Sequence, residues 1–130
     1  MPLLLPLLLL QVAAPAQTLP IPEEAVCANA PVDDARPYTL CLAETQFEQA
    51  EAEMELQLKV ALARLQAARG SGAADRLGGR QRDWIKRRDR QCEAEAAATP
   101  STQVGRNTLA CQTEWTRKRT AELKALVAAK

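Results

Sequence analysis

The chain has 130 residues, with 17 Lys and Arg against 16 Asp and Glu and no histidine. Near-neutrality argues neither for nucleic acid nor for an anionic membrane as a partner. The missing imidazole removes the commonest general base and the commonest metal ligand. Ser71 and Ser101 are the only serines, and neither sits in an elbow or triad context, so the reading is of a protein that is not an enzyme.

Residues 3–10 are leucine broken only by Pro6, a run too short to span a bilayer as a helix. Ala14-Pro15-Ala16 follows with the small-x-small pattern of a secretory cleavage site. Residues 1–16 therefore read as a signal peptide cut before Gln17. No Lys or Arg precedes the apolar run, which suggests a start further upstream, and an uncleaved tail or short anchor is the alternative. The neighbours of Cys27, Glu24-Ala25-Val26, offer no lipid-attachment motif. The expectation is a periplasmic or secreted protein with no stable membrane anchor after cleavage.

From 17 to 38 the chain carries Pro20, Pro22, Pro31 and Pro37 and no period of either kind, so it reads as an extended segment. A long amphipathic helix is predicted over 39–69. Its apolar positions Leu40, Ala43, Phe47, Ala50, Met54, Leu58, Ala61, Leu62 and Leu65 follow three-and-four spacing. Gly70-Ser71-Gly72 ends it. A second helix is predicted from 73 or 75 to 97, with Leu77, Gln81, Trp84, Ile85, Arg88 and Cys92 on one side. Gly78-Gly79 weakens its first turns by roughly 1 kcal/mol per glycine, which favours a late start or a kink. Thr99-Pro100-Ser101 breaks the chain. A third helix, from 101 or 102 to 128, would turn Val104, Thr108, Cys111, Trp115, Arg119, Glu122, Leu123 and Leu126 inward. The expected fold is all-α, with three helices up-down-up over 39–130.

Four cysteines in an exported chain of this size read as a disulfide framework, and four allow three pairings. Cys27–Cys41 with Cys92–Cys111 is favoured. The first bond would staple the proline-rich segment to the first helix, and the second would close the turn between the antiparallel second and third helices. A metal site is disfavoured because there is no CxxC pair and no histidine, and no cofactor is called for.

Polar residues fall where the inner stripes should be apolar. Gln81 and Arg88 share a face with Leu77 and Trp84, and Arg119 lines up with Cys111, Trp115 and Leu123. A buried arginine needs a carboxylate, and Glu44, Glu48, Glu51 and Glu55 form a stripe on the first helix. Interhelical salt bridges beside a bundle seam are the favoured reading; a shared polar site or partner surface on that stripe is the sharper alternative. Arg80, Arg82, Lys86, Arg87, Arg88 and Arg90 are spread around the helix with Asp83 and Asp89 between them. That pattern reads as a solvated face rather than a nucleic-acid footprint.

The run Gln81-x-x-Trp84-Ile85-x-x-Arg88-Asp89-x-x-Cys92 resembles the signature of the LprI-type lysozyme-inhibitor domain family, small bacterial envelope proteins. The resemblance spans about 27–126. It takes in Cys27 and Cys41 and the later motif Cys111-x4-Thr116-x2-Arg119-x3-Leu123. It implies a secreted or periplasmic helical domain with two disulfides that inhibits lysozyme by direct protein–protein binding. The chain departs from the family pattern at Met54-Glu55-Leu56-Gln57-Leu58, where relatives often carry Leu-Asn-x-x-Tyr. It departs again at Ala98-Thr99-Pro100-Ser101, in place of a glycine-serine turn. The alternative function is a structural or adaptor module of the envelope with no lysozyme target; oligomeric state is not legible.

Overall fold

The computed structural model describes residues 23–28 and 38–129. The leader, its cleavage site and most of the proline-rich segment lie outside the described residues. Four α-helices follow one another: α1 Glu23–Ala28, α2 Tyr38–Arg69, α3 Ser71–Ala97 and α4 Val104–Ala128. A single 3₁₀ turn, Ser101–Gln103, leads into α4. Among the described residues there is no strand. The segment read as extended differs in one place, since α1 is helical. Cys27 within it is buried and covalently tied to α2, so a short helical run is held by tertiary attachment that its own length could not sustain.

The long helix of 32 residues, rich in Ala, Glu, Gln and Leu, runs about 48 Å at 1.5 Å per residue. Gly70 ends it. Its φ of 82° and ψ of 173° is a conformation essentially reserved for glycine. The Gly70 N–H donates to the Gln66 carbonyl at 2.9 Å, capping α2, and the Gly70 carbonyl accepts from Ala73 N–H to start α3. The turn between long helices is thus one residue.

The second long helix begins at Ser71 and continues through Gly78-Gly79, not late as the glycines suggested. Burial on either side outweighs the glycine cost: Ala73, Ala74, Leu77 and Gln81 are all buried. At the other end, Thr99 caps the Ala96 carbonyl through both its N–H, at 2.9 Å, and its hydroxyl, at 2.6 Å. Pro100 then admits the 3₁₀ turn.

The helices run up-down-up. Parallel contacts join α2 to α4 from Leu40 near Gly105, through Glu51 with Thr116, to Arg64 with the Val127 carbonyl. Both favoured disulfides are present, Cys27–Cys41 and Cys92–Cys111, the latter bridging α3 and α4 just beyond their connecting turn.

Met54, Ala61, Leu77, Trp84 and Leu123 form the core, with Leu58, Leu62, Leu65, Ile85, Trp115 and Val127 packed around it. Beside Met54 and Leu123, the buried positions of α2 and α4 carry small side chains: Ala43, Ala50 and Ala61 on α2, and Thr113, Thr116 and Thr120 on α4. This corrects the expected inner stripe of α4, which is rotated by about one residue. Leu126 and Glu122 are exposed, and the threonines are buried instead. Thr113 and Thr120 return their hydroxyls to the carbonyls of Leu109 and Thr116, at 2.8 and 3.0 Å, which lets them pack as if apolar.

Candidate functional site

The family-type motif on α3 folds into a polar network at the centre of the bundle. Arg88 is 3 % exposed and bonds to both other long helices. Its Nη1 donates to Glu51 Oε1 on α2 and, at 2.8 Å, to Thr116 Oγ1 on α4. Its Nε donates to Asp89 Oδ1 at 2.9 Å, and that same oxygen accepts from Gln112 Nε2 at 3.0 Å. The guanidinium also lies over two rings, 5.2 Å from the Phe47 centroid and 5.3 Å from Trp84. A buried cation needs charge and hydrogen-bond partners, and here it has them; no buried side-chain nitrogen or oxygen among the described residues lacks a partner.

Two turns earlier, Gln81 builds a second, adjoining network. Its carbonyl accepts from Arg119 Nε at 2.9 Å, and its amide lies 3.3 Å from Met54 Sδ. Arg119 continues outward to Glu122 at 2.7 Å. Its guanidinium lies 5.7 Å from the Trp84 ring. The two arginines therefore meet through Trp84, which both contact, rather than through each other.

Of the predicted acidic stripe, Glu51 turns inward to serve Arg88, while Glu48 and Glu55 are exposed and Glu44 is half-buried. Glu51 thus serves an internal ion pair while Glu48 and Glu55 face solvent. Thr116 and Leu123 are fully buried, and Asp89 is half-buried. Phe47 was legible only as a core position and Gln112 not at all; both are contacts of the Arg88–Asp89 pair that no spacing on α3 reveals.

Outside this core, adjoining open depressions follow the α3–α4 seam. Trp84, Arg87 and Trp115 border several of them, with Arg80, Arg90 and Arg119 alongside; the one between Leu77, Arg80 and Leu126 has a volume of about 470 Å³. The solvated face expected of the basic α3 residues holds for Arg80, Arg82, Lys86, Arg87 and Arg90, which are exposed, whereas Arg88 is interior. Lys118, at the rim, pairs with Glu114 at 2.7 Å; that hydrogen bond and its charge hold the Glu114 carboxyl below the usual carboxylate range.

Among the described residues no cluster of three or more His, Cys, Asp or Glu side chains is arranged to hold a metal ion. Nor is any described helix long and apolar enough to cross a membrane.

Residues 27–123 match the family described as lysozyme inhibitor LprI. The chain is also similar to an uncharacterized protein of Rhizobium meliloti (strain 1021), 32 % identical over 139 residues, covering 91 % of this chain and 96 % of that one. No solved structure matches it significantly. The matched span begins at the first bridged cysteine and ends on buried Leu123, enclosing both disulfides and both arginine networks: the chain belongs to the LprI lysozyme-inhibitor family.

Proposed function

We propose that this protein binds a peptidoglycan-cleaving lysozyme directly and inhibits it, in the periplasm or outside the cell, with no chemistry of its own. The observation that carries the reading is the family match over 27–123, which encloses both disulfides and the buried Arg88 network. Two disulfides favour an oxidising compartment. A rigid scaffold also suits an inhibitor, because little conformational entropy is lost on docking.

A muramidase assay on the purified, oxidised protein tests this. Turnover should fall in a saturable, stoichiometric manner for at least one lysozyme type. Unchanged turnover at excess protein across several types defeats the proposal.

One observation favours the second reading, an envelope adaptor: Leu56 and Val60 stand exposed one turn apart on α2, together with Leu126 on α4. Size-exclusion chromatography with cross-linking in envelope extract separates the two. A constitutive stoichiometric partner other than a lysozyme supports the adaptor.

A further inference from the structure

We propose that the basic groove between α3 and α4 is a docking surface for carboxylates on a partner protein, and that its occupant is the carboxylate-bearing cleft of a lysozyme. The identity of the occupant rests on the inhibitor reading; the surface and its chemistry rest on the structure.

Charge separates this face from the rest of the molecule. The groove is bordered by Arg80, Arg87, Arg90, Lys118 and Arg119 against only Asp83 and Glu122, a formal +3, whereas the whole chain carries +1. Glu122 is already engaged by Arg119 and Lys118 by Glu114. Arg80, Arg87 and Arg90 are exposed and make no ion pair among the described residues. Three guanidinium groups with unfilled donors therefore lie along one helix, and a guanidinium is the side chain best suited to bidentate contact with a carboxylate. Arg88 cannot share this role. Its donors are taken by Glu51, Asp89 and Thr116 in the interior.

The floor is aromatic and fixed. Trp115 is half-buried beside Arg87 and Arg90, and Trp84 is wedged between the two internal arginines. The Cys92–Cys111 bond clamps the two helices two residues beyond Arg90. Arginine over a rigid tryptophan floor is the composition of interface hot spots. Trp84 is only 7 % exposed, so it offers no open ring face for a sugar to stack on. The groove thus fits an acidic protein surface better than a glycan.

A lysozyme cleft supplies the complementary chemistry. Retaining glycosidases carry two carboxyl groups roughly 5–5.5 Å apart. Arg87 and Arg90 are three residues apart on α3 and border the same depression, so two neighbouring guanidinium groups face one partner surface.

The test uses the full oxidised protein and two probes: lysozymes of several types, and a deca-glutamate peptide at low salt. The variant reverses three charges, Arg80→Glu, Arg87→Glu and Arg90→Glu; a neutral set, Arg80→Gln, Arg87→Gln and Arg90→Gln, guards against misfolding, and urea midpoints check both. Glu48→Lys with Glu55→Lys on α2 is the control face. The reversal should weaken lysozyme binding by about 100-fold or more, as expected when hot-spot residues are lost. It should also abolish deca-glutamate binding, with an intermediate loss in the neutral set and less than about 3-fold change in the α2 variant. Lysozyme binding that survives the reversal overturns the surface while leaving the inhibitor reading intact. If wild type binds no lysozyme but binds deca-glutamate through these arginines, the inhibitor reading fails and the carboxylate surface stands. Binding of neither probe overturns both.

Discussion

Glu51→Ala is the sharpest probe of how the bundle is held together. Arg88 is 3 % exposed and Glu51 28 %, so the mutation strips the main counter-charge from a cation that water cannot reach. Breaking a buried pair in this way costs about 3–5 kcal/mol. Arg88 keeps Asp89 and Thr116 as acceptors and the faces of Phe47 and Trp84, which places the expected loss near the lower limit, about 3 kcal/mol. With a urea m-value of about 1.5 kcal/mol/M for a domain of this size, the midpoint should fall by about 2 M. The companion double substitution, Glu51→Leu with Arg88→Met, removes both charges and fills the space with apolar groups. It should lie within about 1 kcal/mol of wild type, because the cost lies in the uncompensated charge. Equilibrium urea unfolding of the oxidised protein, followed by far-UV circular dichroism, measures both. A Glu51→Ala midpoint within about 0.5 M of wild type would mean that the pair is no stronger than a surface salt bridge and does not hold the bundle together.

Replacing Trp84 with Ala removes the ring that both arginines share and should cost about 3–5 kcal/mol in a thermal or urea melt; a negligible loss would show the ring is not part of the core. Peptide mass mapping of the unreduced protein should find Cys27 joined to Cys41 and Cys92 to Cys111, and any crossed linkage contradicts the topology. Removing the second bond by Cys92→Ser with Cys111→Ser opens a loop of 19 residues and should cost about 3 kcal/mol on the chain-entropy account. Gly78→Ala and Gly79→Ala should each stabilise by about 0.5–1 kcal/mol, since the added methyl would meet only the mobile end of Arg82, at 3.8 and 3.9 Å. A drop in melting temperature for either would mean that α3 needs its glycines for a close approach not visible in this packing.

Much of the architecture follows from local chemistry written in order along the chain. Alanine, leucine, glutamate and glutamine at three-and-four spacing make α2 whatever its neighbours do, Gly70 must end it, and Thr99-Pro100 must break the next helix. Two cysteines either side of that break, on antiparallel helices, are brought together by connectivity alone. The sequence also shows that Arg88 and Arg119 lie on inner stripes and that a carboxylate must meet at least one of them. It does not show which. Four glutamates share that side of α2, and rotation of 100° per residue makes Glu51 interior while Glu48 and Glu55 face solvent. The same ambiguity hid Thr113 and Thr120 of α4, whereas Thr116 is marked by the family-type motif. A threonine that bonds its own helix backbone is apolar enough to pack, yet in the sequence it is indistinguishable from one in water.

The three long helices, their order, the disulfide framework and the family are legible in the amino-acid sequence, because these depend on propensity, turn chemistry and spacing within short stretches; the short α1 is not, since it is held by its bond to α2. Tertiary packing sets the rest: which acid answers Arg88, and that Arg80, Arg87 and Arg90 lie exposed along a tryptophan-floored groove. Those outcomes depend on how each helix is rotated about its axis against two others, and that rotation is set by packing of all three at once.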